Sequence, residues 1–139
     1  MISTSSRLHR TMKGVKRFEM EVSDSTLKEF GISPLLSGGE HVLGLYRGEV
    51  LDTSFVVTDQ AVILAMHGKP NRIIYDQMES SLIEVDEKSE ANEINIKLKN
   101  GGVAKVVVDG GDGKFRDVFS FGRFIARVIE DRSQKSAEN

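Results

Sequence analysis

Residues whose side chains could carry out chemistry are few and scattered in this chain. The sequence has no cysteine and three histidines, and none of the histidines has neighbours at the spacing of a metal site or an acid–base pair. Residues 110–114 (GGDGK) have the composition of a phosphate-binding turn. However, Phe115 stands where such a turn carries its hydroxyl, and Asp109 and Asp112 would repel phosphate. We therefore predict a non-catalytic protein, with no metal, cofactor or specific small-molecule ligand.

Charge is distributed unevenly along the chain. Residues 1–17 contain five basic side chains and no acidic one, so the remainder carries a net charge of −7. Because binding to nucleic acid needs clustered cations, an acidic body predicts no nucleic-acid partner. The basic arm is interpreted as a solvated or docking segment, and peripheral binding to an anionic membrane surface is the alternative function. Its cations are Arg7, Arg10, Lys13, Lys16 and Arg17.

Length and hydropathy indicate one domain in the cytoplasm. The 139 residues fit a single domain, and no apolar run approaches the ~18 residues that a membrane span needs. No apolar segment of a secretory signal follows the basic arm, and cysteine is not used. These features together predict a cytoplasmic protein.

From residue 41 onward, the sequence is typical of short strands joined by tight turns. Seven strands are predicted, over residues 42–47, 51–57, 61–66, 73–75, 82–85, 94–98 and 103–108. The clearest alternation is that of Ile94, Ile96 and Leu98 with polar neighbours, and Asn100-Gly101 after it predicts a type I′ hairpin turn. Since the connections are too short for parallel crossovers, the sheet is expected to be antiparallel.

Helices are predicted at both ends of the strand region. Apolar residues between Leu8 and Val22 follow a nearly helical period, and a short helix capped by Asp24 or Ser25 is expected before Gly31. The last helix is predicted from Phe115 to Asp131 with Asp112 as its N-cap, followed by a polar tail. Its expected core stripe consists of Phe115, Val118, Phe119, Gly122, Ile125, Ala126 and Ile129.

A second apolar stripe on this helix is formed by Phe121, Phe124 and Val128. The combined apolar arc is wider than a helix lying on one surface requires, so something should cover these side chains. One possibility is the N-terminal segment, through residues such as Met12 or Phe18. The other is a protein partner or a second copy of the chain, for which these three residues are the predicted binding site.

Three segments resemble the bacterial pleckstrin-homology-like (PH-like) domains and, more loosely, the GRAM domains. They are residues 36–43 (LSGGEHVL), 55–64 (FVVTDQAVIL) and 73–78 (IIYDQM). The resemblance implies a mainly β (α+β) fold, a seven-stranded antiparallel barrel or sandwich capped by a C-terminal helix. It covers residues 35–131, preceded by a partly helical extension (1–34) and followed by a flexible tail (132–139).

The same resemblance implies a binding scaffold rather than an enzyme. In relatives that hold phosphoinositides, basic residues lie in the loop between the first two strands, whereas residues 47–50 here contain one cation and one acid. The leading hypothesis is therefore an interaction module that contacts a protein partner or itself, through the flank of the last helix or an exposed strand edge.

Overall fold

The computed structural model of the chain describes residues 3–29, 38–49, 53–65, 71–83, 92–110 and 117–137. A 3-10 turn at Tyr75–Gln77 separates two antiparallel sheets, ordered β1-β2-β3-β4-β5 and β6-β7-β8. The elements in chain order are α1 (Thr4–Met12), β1 (Phe18–Glu19), α2 (Asp24–Glu29), β2 (Val42–Tyr46), β3 (Phe55–Thr58), β4 (Ala61–Leu64), β5 (Asn71–Ile74), β6 (Met78–Leu82), β7 (Glu93–Leu98), β8 (Val103–Val107) and α3 (Asp117–Ala137). The predicted α+β class with antiparallel strands is confirmed.

The five-stranded sheet is buried on both faces over its central strands. Every residue of β3 and β4 is buried, as their nearly continuous apolar sequences predict. The inner face joins the main core beneath α3, whereas the outer face packs against Leu27 of α2. The outer-face side chains in that cluster are Leu45, Val56, Ile63 and Ala65.

The three-stranded sheet shows the predicted alternation in β7. Ile94 and Ile96 are fully buried, while the alternating residues Glu93, Asn95 and Lys97 are less buried. The hairpin turn after β7 differs from the predicted type I′ turn: Leu98 pairs with Gly102, which leaves a three-residue loop closed by the Gly101 amide donating to the Leu98 carbonyl. Gly101 has φ 92°, as the bulged position of such a loop requires.

Within the described residues, the two sheets are separate and do not form a closed barrel. α3 connects them, because its Phe121 ring lies 4.6 Å from the ring of Phe55 in β3 and its Gly122 faces Ile83 and Ile94 beside the other sheet. One apolar core therefore extends from sheet to helix to sheet.

Several boundaries differ from those predicted. β6 begins at Met78 rather than Leu82, because this edge strand is mostly polar and lacks the apolar run on which the prediction depended. β1 was not predicted, since two residues show no period. α3 continues to Ala137 through the predicted tail, whereas the predicted cap Asp112 and Phe115 lie outside the described residues.

The N-terminal residues form part of the same core. α1 ends at Met12, and the chain then turns so that Phe18 pairs with Tyr46 across β1 and β2. Leu8 and Met12 are buried in the main core cluster beside α3. The hydroxyl of Ser23, rather than the predicted Asp24 or Ser25, accepts from the Thr26 amide at the start of α2.

Candidate functional site

The three side chains predicted to bind a partner lie in the interior. Phe121 and Phe124 are fully buried, and Val128 is 1% exposed. The Phe124 ring meets the ring of Tyr75 edge-on, with 6.1 Å between the centroids. The expectation that they form an outer flank is wrong, because α3 is surrounded by two sheets and α1, which requires a wider apolar arc than one supporting surface would.

The N-terminal segment covers Phe121, Phe124 and Val128 of α3, which was one of the two predicted possibilities. Met12 and Phe18 belong to the core cluster that contains these α3 residues, and Val15 packs against it. The docked position of α1 is also held by a bidentate ion pair, in which Arg7 donates to the carboxylate of Asp131 at 3.0 and 2.9 Å.

Part of the predicted core stripe of α3 faces a groove instead of the core. Val118, Ile125 and Ile129 are buried as predicted. Ala126, by contrast, is exposed, and Phe119 and Gly122 are half-buried. The helix is therefore rotated relative to the predicted orientation, which turns its smaller side chains outward.

The described part of the basic arm forms α1 and the turn after it, and only some of its cations are free to meet an external anion. Arg7 is engaged with Asp131, and the Arg17 guanidinium donates to the Arg47 carbonyl at 3.3 Å. The remaining cations are exposed; they are Arg10, Lys13 and Lys16.

A polar network at one end of the five-stranded sheet has a structural role. The Glu40 carboxylate accepts from Arg72 at 2.9 Å and from the Thr58 hydroxyl, and its side chain is fully buried. Tyr75 donates to the Thr58 carbonyl at 2.7 Å. Burial raises the pKa of Tyr75 well above its ordinary value. The network therefore joins β3 and β5 to the chain that precedes β2.

A second network attaches the start of α3 to β2. The Tyr46 hydroxyl donates to the Asp117 carboxylate and accepts from the Gly110 amide, both at 2.9 Å. Burial, followed by the hydrogen bond to Asp117, raises the pKa of Tyr46. Both networks lie inside the fold, so neither presents an open site.

An open concavity lies between β6 and α3, and we call it the β6–α3 groove. It encloses about 370 Å³. Most of its lining residues are apolar, and small residues of α3 form part of its wall. The lining consists of Ser81, Leu82, Ile83, Ile94, Phe119, Gly122, Arg123 and Ala126.

Strand and helix approach each other most closely at Gly122. A Cβ atom at this position would lie 2.8 Å from the Ile83 Cδ1 atom, so glycine leaves room for that side chain. At the other end of β6, Arg132 donates to the Asp76 carboxylate at 3.1 Å. Because residue 83 is beside residue 122 and residue 76 beside residue 132, β6 and α3 run in opposite directions.

The outer edge of β6 borders this groove. The Lys99 amide donates to the Gln77 carbonyl. A register shift between Met78 and Ser80 then places Ser80 opposite Lys97 and Leu82 opposite Asn95. In an antiparallel ladder, alternate residues direct both backbone groups to the same neighbour. The N–H and C=O groups of Ser81 and Ile83 therefore point away from β7, and among the described residues no strand pairs with them.

Among the described residues that line the groove, Arg123 is the charged one. It reaches the Ser120 hydroxyl at 3.4 Å, and within the described part of the chain it has no carboxylate partner. Five other described arginines form ion pairs with a carboxylate; they are Arg7, Arg47, Arg72, Arg127 and Arg132. The groove thus combines an apolar wall, an unpaired strand edge and one accessible cation.

An exposed strand edge was predicted from the sequence as a possible binding site, but the strand that carries it was not identified. The start of β6 was not predicted because its sequence is mostly polar. The helical period of α3 predicted that Gly122 and Ala126 belong to the buried stripe. A usable signal was present: two small residues four positions apart, Gly122 and Ala126, interrupt a run of large side chains, which indicates a helix face that a neighbouring element can approach closely.

Comparisons with known proteins add no family to this geometry: no family model matches the chain, and neither a curated protein nor a solved structure does. No described helix is long and apolar enough to cross a membrane. Within the described ranges, no group of three or more His, Asp or Glu residues is placed to hold a metal ion.

Proposed function

We propose that this chain is a non-catalytic interaction module of the PH-like type, which binds an extended peptide segment as an added strand along β6. The unpaired edge at Ser81 and Ile83, directly beside the apolar groove, carries the proposal. Main-chain hydrogen bonds to an edge strand supply affinity, and side-chain pockets supply selectivity. Two antiparallel sheets followed by a C-terminal helix support the PH-like part.

The opposite edge of the same sheet offers an internal comparison. By the same alternation, Val103, Lys105 and Val107 of β8 point their backbone groups outward. The exposed Lys105 lies in the middle of that edge, and edge lysines discourage strand addition. The β6–α3 groove borders β6, and β6 carries no lysine at its outward positions Ser81 and Ile83, so β6 is the better acceptor.

The test is Ser81→Pro, measured against a library of immobilised, N-acetylated hexapeptides rich in β-forming residues. Proline removes the outward N–H without breaking the β6–β7 ladder, because that N–H faces away from β7. We expect the variant to weaken binding of the selected peptide at least tenfold by fluorescence polarisation, about the loss of 1.4 kcal/mol. Lys105→Pro, the same change on the other edge, should leave binding unchanged.

A second measurement does not depend on the folding of the variant. N-methylation of the selected peptide at alternate residues removes donors without altering the protein. Strand addition predicts loss of binding for the methylated positions that face β6 and little change for the intervening ones. Failure of the library to yield any peptide, or equal binding by both proline variants, would reject the proposal.

A second candidate function is peripheral binding to an anionic membrane through the basic arm. It is favoured by the exposed side chains of Arg10, Lys13 and Lys16, and by Met20, which is 37% exposed and lines a shallow concavity together with Arg10. At roughly 1 kcal/mol for each cation near the surface, three cations give about 3 kcal/mol, which is weaker than millimolar binding. Sedimentation with phosphatidylserine vesicles, with and without Arg10→Gln/Lys13→Gln/Lys16→Gln, tests this function.

A further inference from the structure

Resting on the proposed function, we infer that the segment bound in the β6–α3 groove carries a carboxylate that pairs with Arg123 and an apolar side chain two residues away. The partner is thus an extended, acidic and apolar peptide segment rather than a basic one. The inference depends on the charge, the spacing and the orientation of the groove.

The charge of the groove is positive at one place. Arg123 contributes a guanidinium to a lining whose described residues include no acidic one, and this guanidinium forms no ion pair within the described chain. Its neighbour Arg127, one position from the lining residue Ala126, is by contrast held by Glu130 at 3.7 Å. A carboxylate entering beside the apolar wall would meet Arg123 without having to displace an existing partner.

The spacing follows from strand geometry. In an added strand, residues two positions apart point to the same side and lie about 6.5–7 Å from each other. Two such side chains can face α3, one near the Ile83 end and one near the Ser81 end. The space over Gly122 is filled by the Ile83 side chain, whereas Ala126 is exposed and small, so the wall beside Ala126 leaves space for an incoming apolar group.

The orientation decides which end receives which group. Because β6 and α3 run in opposite directions, Gly122 and Arg123 lie beside Ile83 at the end of β6. The later residues of α3, toward Arg132, lie beside the start of β6. The carboxylate is therefore expected at the Ile83 end of the groove. The apolar side chain is expected toward Ser81 and Ala126.

The experiment uses the full chain and three versions of the hexapeptide library, in which one groove-facing position is Glu, Gln or Lys. We expect the Glu peptides to bind about fivefold to tenfold more tightly than the Gln peptides, and the Lys peptides to bind most weakly. The preference for Glu should decline at high salt, since Arg123 is exposed.

Variants of α3 separate this inference from the proposed function. Arg123→Gln should abolish the preference for Glu, and Arg123→Glu should transfer it to Lys. Arg127→Gln, which alters a neighbouring arginine outside the lining, should retain the preference for Glu. Equal binding of the three libraries, with Ser81→Pro still abolishing binding, would overturn the charge inference and leave the proposed function intact.

Two further outcomes would overturn this inference. Failure of every library to bind would reject the proposed function together with it. A concentration-dependent dimer in light scattering that Ser81→Pro abolishes and Lys105→Pro retains would assign the groove to a second copy of this chain. No acidic peptide would then be required.

Discussion

The two sheets share one apolar core and differ in what lies on their outer faces. In the five-stranded sheet, Val56 and Ile63 point away from α3 and are nevertheless fully buried, because the chain around Leu27 covers them. In the three-stranded sheet, the corresponding outer side chains Leu82 and Val103 are 55% and 63% exposed. One sheet is an interior layer, whereas the other is a half-covered layer with its edge beside a groove.

This difference indicates where the molecule keeps its stability and where it can meet a partner. A sheet covered on both sides contributes to the core through two faces and leaves little accessible surface for a partner. A sheet covered on one side keeps an accessible edge, and binding there costs no internal packing. The N-terminal segment thus acts as a covering element of the first sheet, and the second sheet carries the edge that we propose for binding.

The largest effect is expected when the same substitution is made on the two outer faces. Val56→Asp should cost about 4 kcal/mol or more of the free energy of unfolding, because a carboxylate would be buried without a partner. Val103→Asp should change it by no more than about 0.5 kcal/mol. Urea unfolding followed by circular dichroism measures both, and similar losses for the two variants would contradict the comparison.

An intermediate effect is expected at alkaline pH and arises from the five-stranded half alone. The two tyrosines of the chain are Tyr46 in β2 and Tyr75 after β5, and burial raises the pKa of both in the folded state. The folded chain therefore retains protons that the unfolded chain releases above about pH 10, so stability present below that pH falls as pH rises. Above about pH 10, the free energy of unfolding is expected to fall by about 1.4 kcal/mol per pH unit for each tyrosine.

The measurement is the free energy of unfolding between pH 9 and about 11 for the native chain and for Tyr46→Phe/Tyr75→Phe. The double variant loses hydrogen bonds to Asp117 and Thr58, so the slopes are compared rather than the absolute values. A slope that does not change on removal of both hydroxyls would show that the alkaline loss arises elsewhere.

The smallest effect is expected in the hairpin of the three-stranded sheet. Gly101→Ala should cost about 1 kcal/mol, because alanine is strained at φ 92°. Gly14→Ala is the control, since a Cβ atom there meets nothing within 4 Å and the change should cost under about 0.5 kcal/mol. Hydrogen exchange of β7 and β8 amides would localise the effect. Equal losses of stability in the two variants would show that the positive φ of Gly101 carries no particular cost for alanine.

Local patterns were sufficient to predict most of the strands and the last helix. The apolar runs of β3 and β4 and the alternation in β7 each have a period that burial imposes directly on neighbouring residues. β1 was missed and β6 was misplaced because their partners lie further along the chain. Phe18 of β1 pairs with Tyr46, and the polar β6 is a strand because it pairs with β7.

The candidate site was harder to predict for the same reason. Phe121 and Phe124 were placed outside and Ala126 inside, since a helical period shows that two faces are apolar without showing what each one meets. The unpaired groups of Ser81 and Ile83 depend on which strands lie beside β6. No residue type marks an edge that none of the described strands pairs with.

By itself, the sequence determined the antiparallel α+β character, the hairpin at Gly101 and the amphipathic last helix, since each depends on residues close together in the chain. Only the tertiary structure decided which face of α3 is buried and which edge of β6 has no strand beside it within the described ranges. Burial and edge pairing depend on how many distant elements surround a segment, and local periodicity does not contain that number.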